Sequence, residues 1–385
     1  MIELIKKFKK ILKKSIVVLP VLLFLTAYQG IPRKVTLVEG ESLDLNFGVK
    51  ATVNTEKADR YSVDAKLFNV IPIKSVDVSV VPKKYLIPSG EAIGVKLYTD
   101  GVLVVGISDV TDNYGNIFQP AKDAGIEIGD RILAVNGKKV KNIDDFADKI
   151  NEAGEKATVE IARDDQKFSV ELLPAYSKDG GYKIGLWVRD STAGIGTLTF
   201  YNPENGTFGA LGHGICDSDT KGLMTVKKGS INACRIRSVI KGERGVAGEL
   251  SGDFSGIEIG SISKNTHEGI SGKANSVPQN EPLIIASRFE VKKGEAEILC
   301  DVDGAGPRRY KIEITKIQKG GDGKNLVLKV TDHRLISKTG GIVQGMSGSP
   351  ILQNGKIVGA VTHVFVNDPT KGYGIFIENM LDAAK

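Results

Sequence analysis

The sequence predicts a mainly β protein built from several domains. Its 385 residues exceed what one ordinary hydrophobic core accommodates, so two or three domains are expected. Glycine is abundant, with 45 residues, and Val- and Ile-rich runs end repeatedly at Gly, Asn or Asp. Such runs are typical of short strands joined by tight turns. They continue from residue 176 to residue 385, which is enough chain for two small β-barrels packed together.

The N-terminal residues carry most of the net charge. The formal charge is +6, and residues 1–14 hold six lysines against one glutamate. The remainder is nearly neutral, so no basic face for nucleic acid is expected. The lysines precede "SIVVLPVLLFLTAY", residues 15–28, in the order of a secretory signal or membrane anchor. Because no small-x-small cleavage site follows, we expect residues 1–30 to be a basic arm and a retained anchor, and the rest to be exported.

Two segments lie between this anchor and the barrels. Residues 31–87 alternate short β-like runs with polar turns and are predicted to form a small β spacer module. Residues 88–175 include "PAKDAGIEIGDRILAVNGKKV", in which glycines permit turns and "NG" indicates a hairpin. The following "NIDDFADKINEAG" places apolar residues at helical spacing, with Asn142 as N-cap and Gly154 as the stop.

Residues 88–175 resemble the PDZ domains of bacterial proteases. The resemblance implies an α+β unit with a groove that accepts an extended peptide as an added strand, whose carboxylate is bound by N–H groups of a Gly-containing loop. By resemblance that loop is "GEAIGV". The predicted peptide-binding residues are Gly90, Ile93, Gly94 and Val95. The alternative is a PDZ fold that only packs against its neighbour.

Two stretches carry the elements of nucleophilic catalysis. His213 lies in "FGALGHGICD" with a glycine on either side, so other groups can approach it closely, as a general base requires. Ser347 lies in "GMSGSP", where the backbone can turn so that the N–H groups of Gly345 and Ser347 converge on a developing oxyanion. Ser349 precedes a proline, which biases it towards extended backbone, so we expect it to be structural.

The turn "GMSGSP" resembles the nucleophile turn of chymotrypsin-like serine peptidases, Gly-x-Ser-Gly-Gly-Pro, with Ser349 in place of the second glycine. Such a serine needs a base and a carboxylate that orients the base. His213 precedes Ser347, as in chymotrypsin. Asp332 follows the apolar run "LVLKV" and is predicted to be the carboxylate, with Asp217 as the alternative. We expect His363, in "GAVTHVFV", to line the substrate pocket.

The whole chain, with its lysine-rich anchor, PDZ segment, "GALGHGICD" and C-terminal "QGMSGSP", is similar to SpoIVB-type sporulation peptidases. The resemblance implies a chymotrypsin-like double β-barrel for residues 176–385 and a regulatory serine endopeptidase without a cofactor. It also implies that the enzyme cleaves itself and a membrane-bound regulator of an intramembrane protease, so releasing a late sigma factor. The expected location is the forespore intermembrane space.

Other chemistries fit the sequence less well. No HExxH motif or His/carboxylate cluster of ligand spacing suggests a metal hydrolase. Cys216 lies only three residues after His213, without an oxyanion loop of its own, and is expected to be a small buried residue. The non-enzymatic alternative is an inactive scaffold in which the PDZ unit binds peptide termini and "GMSGSP" is a glycine-rich turn.

Overall fold

The computed structural model describes residues 83–164, 166–318 and 323–385, and in the N-terminal part residues 28, 31, 34–38, 49–57, 60–67 and 71–81. The chain divides into two compact units, Met1–Lys84 and Tyr85–Lys385. The predicted basic arm and, apart from Tyr28, the apolar run lie outside the described residues. Among those that are described, no helix has the length and apolar character to cross a membrane.

The first unit contains a four-stranded sheet within the segment predicted as a β module. Its strands are β1 (Lys34–Val38), β2 (Val49–Lys57), β3 (Arg60–Leu67) and β4 (Ile71–Val81). The spatial order is β1-β4-β3-β2, with β1 parallel to β4 and the other pairs antiparallel. Val63 and Ala65 on β3 and Val76 and Val78 on β4 are buried, so alternate side chains share one apolar face.

The second unit consists of strands with a few short helices. Its strands are β5 (Tyr85–Pro88), β6 (Ala92–Ile107), β7 (Val110–Thr111), β8 (Ile117–Phe118), β9 (Arg131–Val135), β10 (Lys138–Lys139), β11 (Ala157–Arg163), β12 (Gln166–Leu172), β13 (Ala175–Tyr176), β14 (Tyr182–Lys183), β15 (Leu186–Asn202), β16 (Thr207–Ala210), β17 (Lys228–Ile240), β18 (Glu249–Thr266), β19 (Gly269–Ala274), β20 (Leu283–Ile284), β21 (Gly294–Cys300), β22 (Arg308–Ile317), β23 (Leu326–Val330), β24 (Pro350–Gln353), β25 (Lys356–Val364) and β26 (Lys371–Phe376). The helices are Pro120–Asp123, Ile143–Ala153, His333–Thr339 and Ile377–Ala384.

Two closed barrels organise these strands. In the first barrel the order is β6-β17-β18-β19-β16-β15, and β15 closes the ring by pairing with β6. In the second the order is β21-β22-β23-β26-β25-β24. Closure leaves neither barrel with a free sheet edge, and inward-facing apolar side chains such as Ile231 in the first and Leu328 in the second are completely buried. The predicted double-barrel fold is confirmed.

The PDZ domain is inserted into the first barrel. Residues 92–98 of β6 pair with β15 and β17 of the barrel, whereas Val102 and Leu103 on the same strand pair with β9 of the PDZ sheet. The chain then forms the PDZ domain and returns to the barrel through β15. Residues 92–98, which the sequence analysis assigned to the PDZ segment 88–175, therefore form a wall of the first barrel.

A bend at Thr99–Gly101 lets β6 serve both sheets. The Thr99 hydroxyl donates to the carbonyl of Gly101 at 2.8 Å and to that of Asp190 at 3.2 Å. Gly101 has a φ of 78°, and a Cβ at this position would lie 2.0 Å from the carbonyl oxygen of Ile132. Only glycine combines this backbone conformation with so close an approach of β9.

We expect Gly101→Ala to lower the free energy of unfolding by roughly 3 kcal/mol or more, because left-handed strain and a clash with β9 add together. Gly115→Ala is the matched control, since Gly115 has a φ of 85° but nothing within 4 Å of the added Cβ. This control is expected to lose only about 1 kcal/mol. Denaturant unfolding of both variants measures the difference. Equal losses would contradict the close packing of β9 against the bend.

Candidate active site

The Ser347 turn connects a short helix to the second barrel. The helix His333–Thr339 ends at Gly340, whose left-handed φ of 76° lets its N–H donate to the carbonyl of Ile336. The chain then turns through residues 341–349 and enters β24. Ser347 is partly exposed, whereas Ser349 is completely buried and its hydroxyl donates to the carbonyl of Met346 at 2.7 Å. The hydroxyl of Ser347 is therefore the accessible one.

The peptide groups around Ser347 are held in a pattern that leaves two N–H groups available. The N–H groups of Gln344, Met346, Gly348 and Ser349 all donate to backbone carbonyls at 2.8 to 3.1 Å. No described residue accepts from the intervening N–H groups, those of Gly345 and Ser347. Gly345 adopts a φ of 96°, which sets the direction of this turn. The two predicted oxyanion donors are thus the two that remain available to a ligand.

His213 follows β16 on a strained and closely packed backbone. Leu211 and Gly212 have φ values of 70° and 68°, and the former is unusual for a residue with a branched side chain. A Cβ on Gly214 would lie 2.3 Å from a Leu223 methyl group and 2.6 Å from the carbonyl oxygen of Thr266. The neighbouring glycines therefore permit the close approach that the sequence predicted.

The surroundings of the His213 ring define its tautomer. Nδ1 lies 2.9 Å from the carbonyl oxygen of Gly214, and because a carbonyl only accepts, Nδ1 carries the proton. Burial lowers the pKa of His213, so the ring is neutral with Nε2 as a free acceptor. The ring of His363 lies 4.7 Å away between centroids. Burial, followed by the proximity of His213 and Lys324, lowers the pKa of His363 to about 4.

Ser347 and His213 converge on one short piece of β25. The Ser347 hydroxyl donates to the carbonyl of Thr362 at 2.5 Å, and Thr362 precedes His363, the neighbour of the His213 ring. A Cβ on Gly212 would lie 3.1 Å from the Thr362 methyl group, so the His213 segment contacts the same residue. Within the described part of the chain, no hydrogen bond joins Ser347 directly to His213.

A cavity of about 530 Å³ lies on the PDZ domain, but a second one, of about 510 Å³, adjoins the histidines. The residues that line this second cavity are Gly212, His213, His267, Glu268, Gly323, Lys324 and His363. His363, which the sequence predicted to line the substrate pocket, is among these residues. No three His, Cys, Asp or Glu side chains of the described residues are grouped as metal ligands.

Asp332 does not lie beside His213, which corrects the sequence-based assignment. Its carboxylate caps the helix His333–Thr339 by accepting from the N–H of Arg334 at 2.9 Å. It also accepts from the Arg334 guanidinium at 2.8 Å and from the N–H of Lys311 at 3.2 Å. The hydrogen bond from Arg334 holds the pKa of Asp332 well below its usual range.

The position of Asp332 at the end of a strand explains the error. Lys324, which lines the His213 cavity, precedes β23, and Asp332 follows it. The five residues of β23 span about 17 Å, so the two ends of the strand lie at opposite ends of the barrel. The sequence correctly placed Asp332 just after a strand, but it did not indicate at which end of the barrel that strand ends.

Asp217, the alternative carboxylate, also binds groups other than His213. It is buried, pairs with Arg189, and accepts from the N–H groups of Asp219 and Thr220 at 3.0 and 2.9 Å. Among the described residues, neither Asp217 nor Asp332 hydrogen-bonds His213, and the carbonyl of Gly214 occupies Nδ1 instead. Cys216, expected to be buried, is exposed.

The peptide-binding residues predicted in the loop 90–95 form part of the first barrel instead. Ile93, Gly94 and Val95 pair on one side with β15 and on the other with β17. Ile93 and Val95 are buried, a Cβ on Gly94 would lie 2.5 Å from the ring of Phe254, and one on Gly90 would lie 2.8 Å from Leu299. Backbone groups already paired on both sides cannot bind a peptide, so this assignment is corrected.

A different edge of the PDZ domain is available. Residues 186–189 of β15 pair with β6 on one side, and no described strand pairs with their other side. The helix Ile143–Ala153 runs beside this edge: its first N–H donates to the Asp190 carboxylate at 3.1 Å, and the Asn151 side chain accepts from the N–H of Tyr182 at 3.0 Å. The sequence signal was "KIGL", residues 183–186, which repeats the Ile-Gly-aliphatic pattern of "AIGV".

Comparison with known proteins agrees with this architecture. Residues 180–381 match the SpoIVB peptidase S55 family, a match that covers more than half of the chain. Residues 113–163 match the PDZ domain family. The first match contains the second barrel and every strand of the first except β6, and the second match lies within the domain inserted into the first barrel.

Three solved structures show partial similarity. The PDZ domain of the SdrC-like protein from Listeria monocytogenes is 26% identical, covers 23% of this chain and 87% of its own, and has a TM-score of 0.19. The HtrA-type protease AlgW with decapeptide is 11% identical over 51% of this chain and 53% of its own, with a TM-score of 0.31. An inactive form of Rv3671c from M. tuberculosis H37Rv is 13% identical to this chain. The similarity covers 49% of this chain and 80% of Rv3671c, with a TM-score of 0.28.

The structural role of Asp332 predicts a stability effect. Asp332→Ala removes both the cap and the ion pair and is expected to cost about 1 to 2 kcal/mol of unfolding free energy, whereas Asp332→Asn keeps the cap and costs less. Because the pKa of Asp332 is lowered in the folded state, its charge stabilises the fold above about pH 4, and this contribution is lost as the pH falls further. Denaturant unfolding at several pH values measures this.

The same variants separate structure from catalysis. If the carboxylate only caps the helix, the Asp332→Asn protein is expected to keep its proteolytic activity, reduced only as far as its small loss of stability reduces the folded fraction. A loss of several hundred-fold in a fully folded Asp332→Asn protein would show that the carboxylate orients His213 in the working enzyme.

Proposed function

The chain belongs to the SpoIVB peptidase S55 family, and on that basis we propose that it is a membrane-anchored regulatory serine endopeptidase of sporulation signalling. Membership of the family and the PDZ domain make the protein a serine peptidase that acts on proteins. The finer proposal is that it cleaves itself and a membrane-bound regulator of an intramembrane protease, leading to activation of a late sigma factor. It rests on the match of residues 180–381 to this family and on the order of apolar run, PDZ segment and serine turn along the chain.

The observation that carries a catalytic role is the pair of available N–H groups at Gly345 and Ser347. In an acyl-transfer reaction, the substrate carbonyl oxygen becomes negative when a nucleophile adds to the carbonyl carbon. Two fixed N–H donors on either side of Met346 suit that charge, since every neighbouring N–H is already used. A glycine-rich turn with a purely structural role would have no reason to keep these two groups free.

The proposed reaction uses Ser347 as nucleophile and His213 as base. The Ser347 hydroxyl exchanges its bond with the Thr362 carbonyl for one with Nε2 of His213. Its oxygen then bonds to the substrate carbonyl carbon while the proton passes to Nε2. The C–N bond breaks as His213 returns that proton to the leaving amine, and water releases the acyl group by the reverse sequence. The lowered pKa of His213 keeps the base neutral at neutral pH.

The N-terminal residues support a location at a membrane surface. Six lysines precede the apolar run of residues 15–28, and we propose that this run holds the enzyme on the outer side of the membrane. Tethering raises the effective concentration of substrates held in the same membrane and of neighbouring copies of the enzyme. This higher effective concentration favours both self-cleavage and cleavage of a membrane-bound regulator.

We further propose that the PDZ domain delivers protein segments along the free edge of residues 186–189. An extended segment can add to such an edge as a further strand, and the adjacent helix Ile143–Ala153 supplies side chains for selectivity. The residues beyond the edge continue through β15 into the first barrel. A segment bound there is therefore held by the same strand that passes the Ser347 turn.

An inactive scaffold is the second candidate function. Its specific support is that the Ser347 hydroxyl donates to Thr362 rather than to His213, and that neither candidate carboxylate contacts the histidine. In that case the PDZ edge alone would carry the function. Reaction with a serine-directed reagent distinguishes the two candidates.

Ser347→Ala is expected to abolish both self-cleavage and labelling of the full chain by a fluorophosphonate, while the chain stays folded and loses no more than about 1 kcal/mol for the hydrogen bond to Thr362. Ser349→Ala is the matched control and is expected to label, with a loss of about 1 kcal/mol for the hydrogen bond to Met346. Gel fluorescence and mass spectrometry of the modified peptide measure the site. Labelling that survives in Ser347→Ala but not in Ser349→Ala would reverse the assignment, and no labelling of the unsubstituted folded chain would favour the scaffold.

Amide hydrogen exchange tests the proposed docking edge. A pool of synthetic nonapeptides with randomised C-terminal residues is expected to slow exchange in residues 184–190, because an added strand protects the edge. Residues 92–98 serve as the internal control, since both sides of that strand are already paired. Slower exchange confined to another part of the PDZ domain, or none at saturating peptide, would contradict docking at this edge.

A further inference from the structure

Thr197 belongs to β15 of the first barrel, and it holds the Ser347 turn that leads into the second. It is almost completely buried, with a relative exposure of 1%. Its hydroxyl donates to the carbonyl of Gly345 at 2.8 Å, and its backbone N–H donates to the carbonyl of Ser347 at 2.9 Å. One residue of β15 therefore fixes the carbonyls on both sides of Met346.

These two bonds complete the restraints on the turn. The peptide group between Gly345 and Met346 is held at its carbonyl by Thr197 and at its N–H by the carbonyl of Val343. The peptide group after Ser347 is held at its carbonyl by Thr197 and at its N–H by Val361. Gly348 allows the close contact, since a Cβ there would lie 2.0 Å from the Thr197 carbonyl oxygen.

We infer that Thr197 is a positioning residue that keeps the Gly345 and Ser347 N–H groups directed at the substrate oxyanion. The inference rests on the proposed peptidase function and names a residue that acts through the turn. Without the Thr197 hydroxyl, the buried carbonyl of Gly345 has no hydrogen-bond donor. The peptide group between Gly345 and Met346 then rotates so that this carbonyl can reach another donor. That rotation redirects the backbone beside both oxyanion donors, so the rate of the chemical step falls while substrate binding is retained.

The same strand supplies a matched control. Thr199 is completely buried two residues further along β15, but its hydroxyl has no hydrogen-bond partner among the described residues. Thr197→Val and Thr199→Val make the same change of shape in the same barrel. Only the former removes a bond to the turn. Thr197→Ser restores the hydroxyl and provides a conservative rescue.

The experiment measures the rate of fluorophosphonate labelling of Ser347 in the full chain, since this reagent also develops negative charge on oxygen as the serine attacks. Thr197→Val is expected to label about 10- to 100-fold more slowly than the unsubstituted chain, with apparent reagent affinity unchanged. Thr197→Ser and Thr199→Val are expected to stay within about threefold of it. Amide exchange in residues 342–349 is expected to accelerate only in Thr197→Val.

The outcomes distinguish this inference from the function on which it rests. If the unsubstituted chain does not label, the proposed peptidase function fails, and the inference with it. If the unsubstituted chain labels and Thr197→Val labels equally fast, the inference alone is overturned. Equal slowing of Thr197→Val and Thr199→Val would likewise overturn it, because the effect would then follow from barrel packing rather than from the hydrogen bond.

Discussion

The architecture depends on the pairing of one long strand, β15, with β6. Residues 186–189 of β15 pair with the PDZ end of β6, and residues 191–197 pair with its barrel end. The last residues pair with β16 and close the first barrel. From that barrel Thr197 reaches the Ser347 turn of the second. A shift of β15 by one residue would exchange the inward and outward faces of the strand and break all of these contacts together, so its register is strongly specified.

Close packing of backbone against backbone positions the proposed catalytic groups. Glycine is required where the Ser347 turn meets β15 at Gly348 and where the His213 segment meets Thr266 at Gly214. Part of this packing has an energetic cost. Leu211 is held at positive φ, and the Thr362 hydroxyl is buried without a hydrogen-bond partner in the described chain. Such costs are tolerated at functional sites when the surrounding fold fixes the geometry.

The ring of His213, the proposed base, is oriented by a backbone carbonyl instead of a carboxylate. The Gly214 carbonyl fixes the proton on Nδ1 and so presents Nε2 as the acceptor. A carbonyl stabilises the imidazolium less than a carboxylate does, and burial also disfavours the charged ring. Lys324, in the same cavity, adds a positive charge nearby.

The sequence by itself determined the mainly β class, the PDZ resemblance, the serine turn and the two N–H groups proposed as oxyanion donors, because each rests on neighbouring residues. Turn chemistry, strand alternation and the order of Gly345, Ser347 and Gly348 are local properties. Tertiary structure decided the rest. Asp332 lies at the wrong end of β23, and Ile93, Gly94 and Val95 belong to a barrel rather than to a groove, because strand pairing brings together residues that are distant in sequence. Thr197 could not be found from the sequence at all, since its hydrogen bond spans 148 residues and exists only once both barrels have closed.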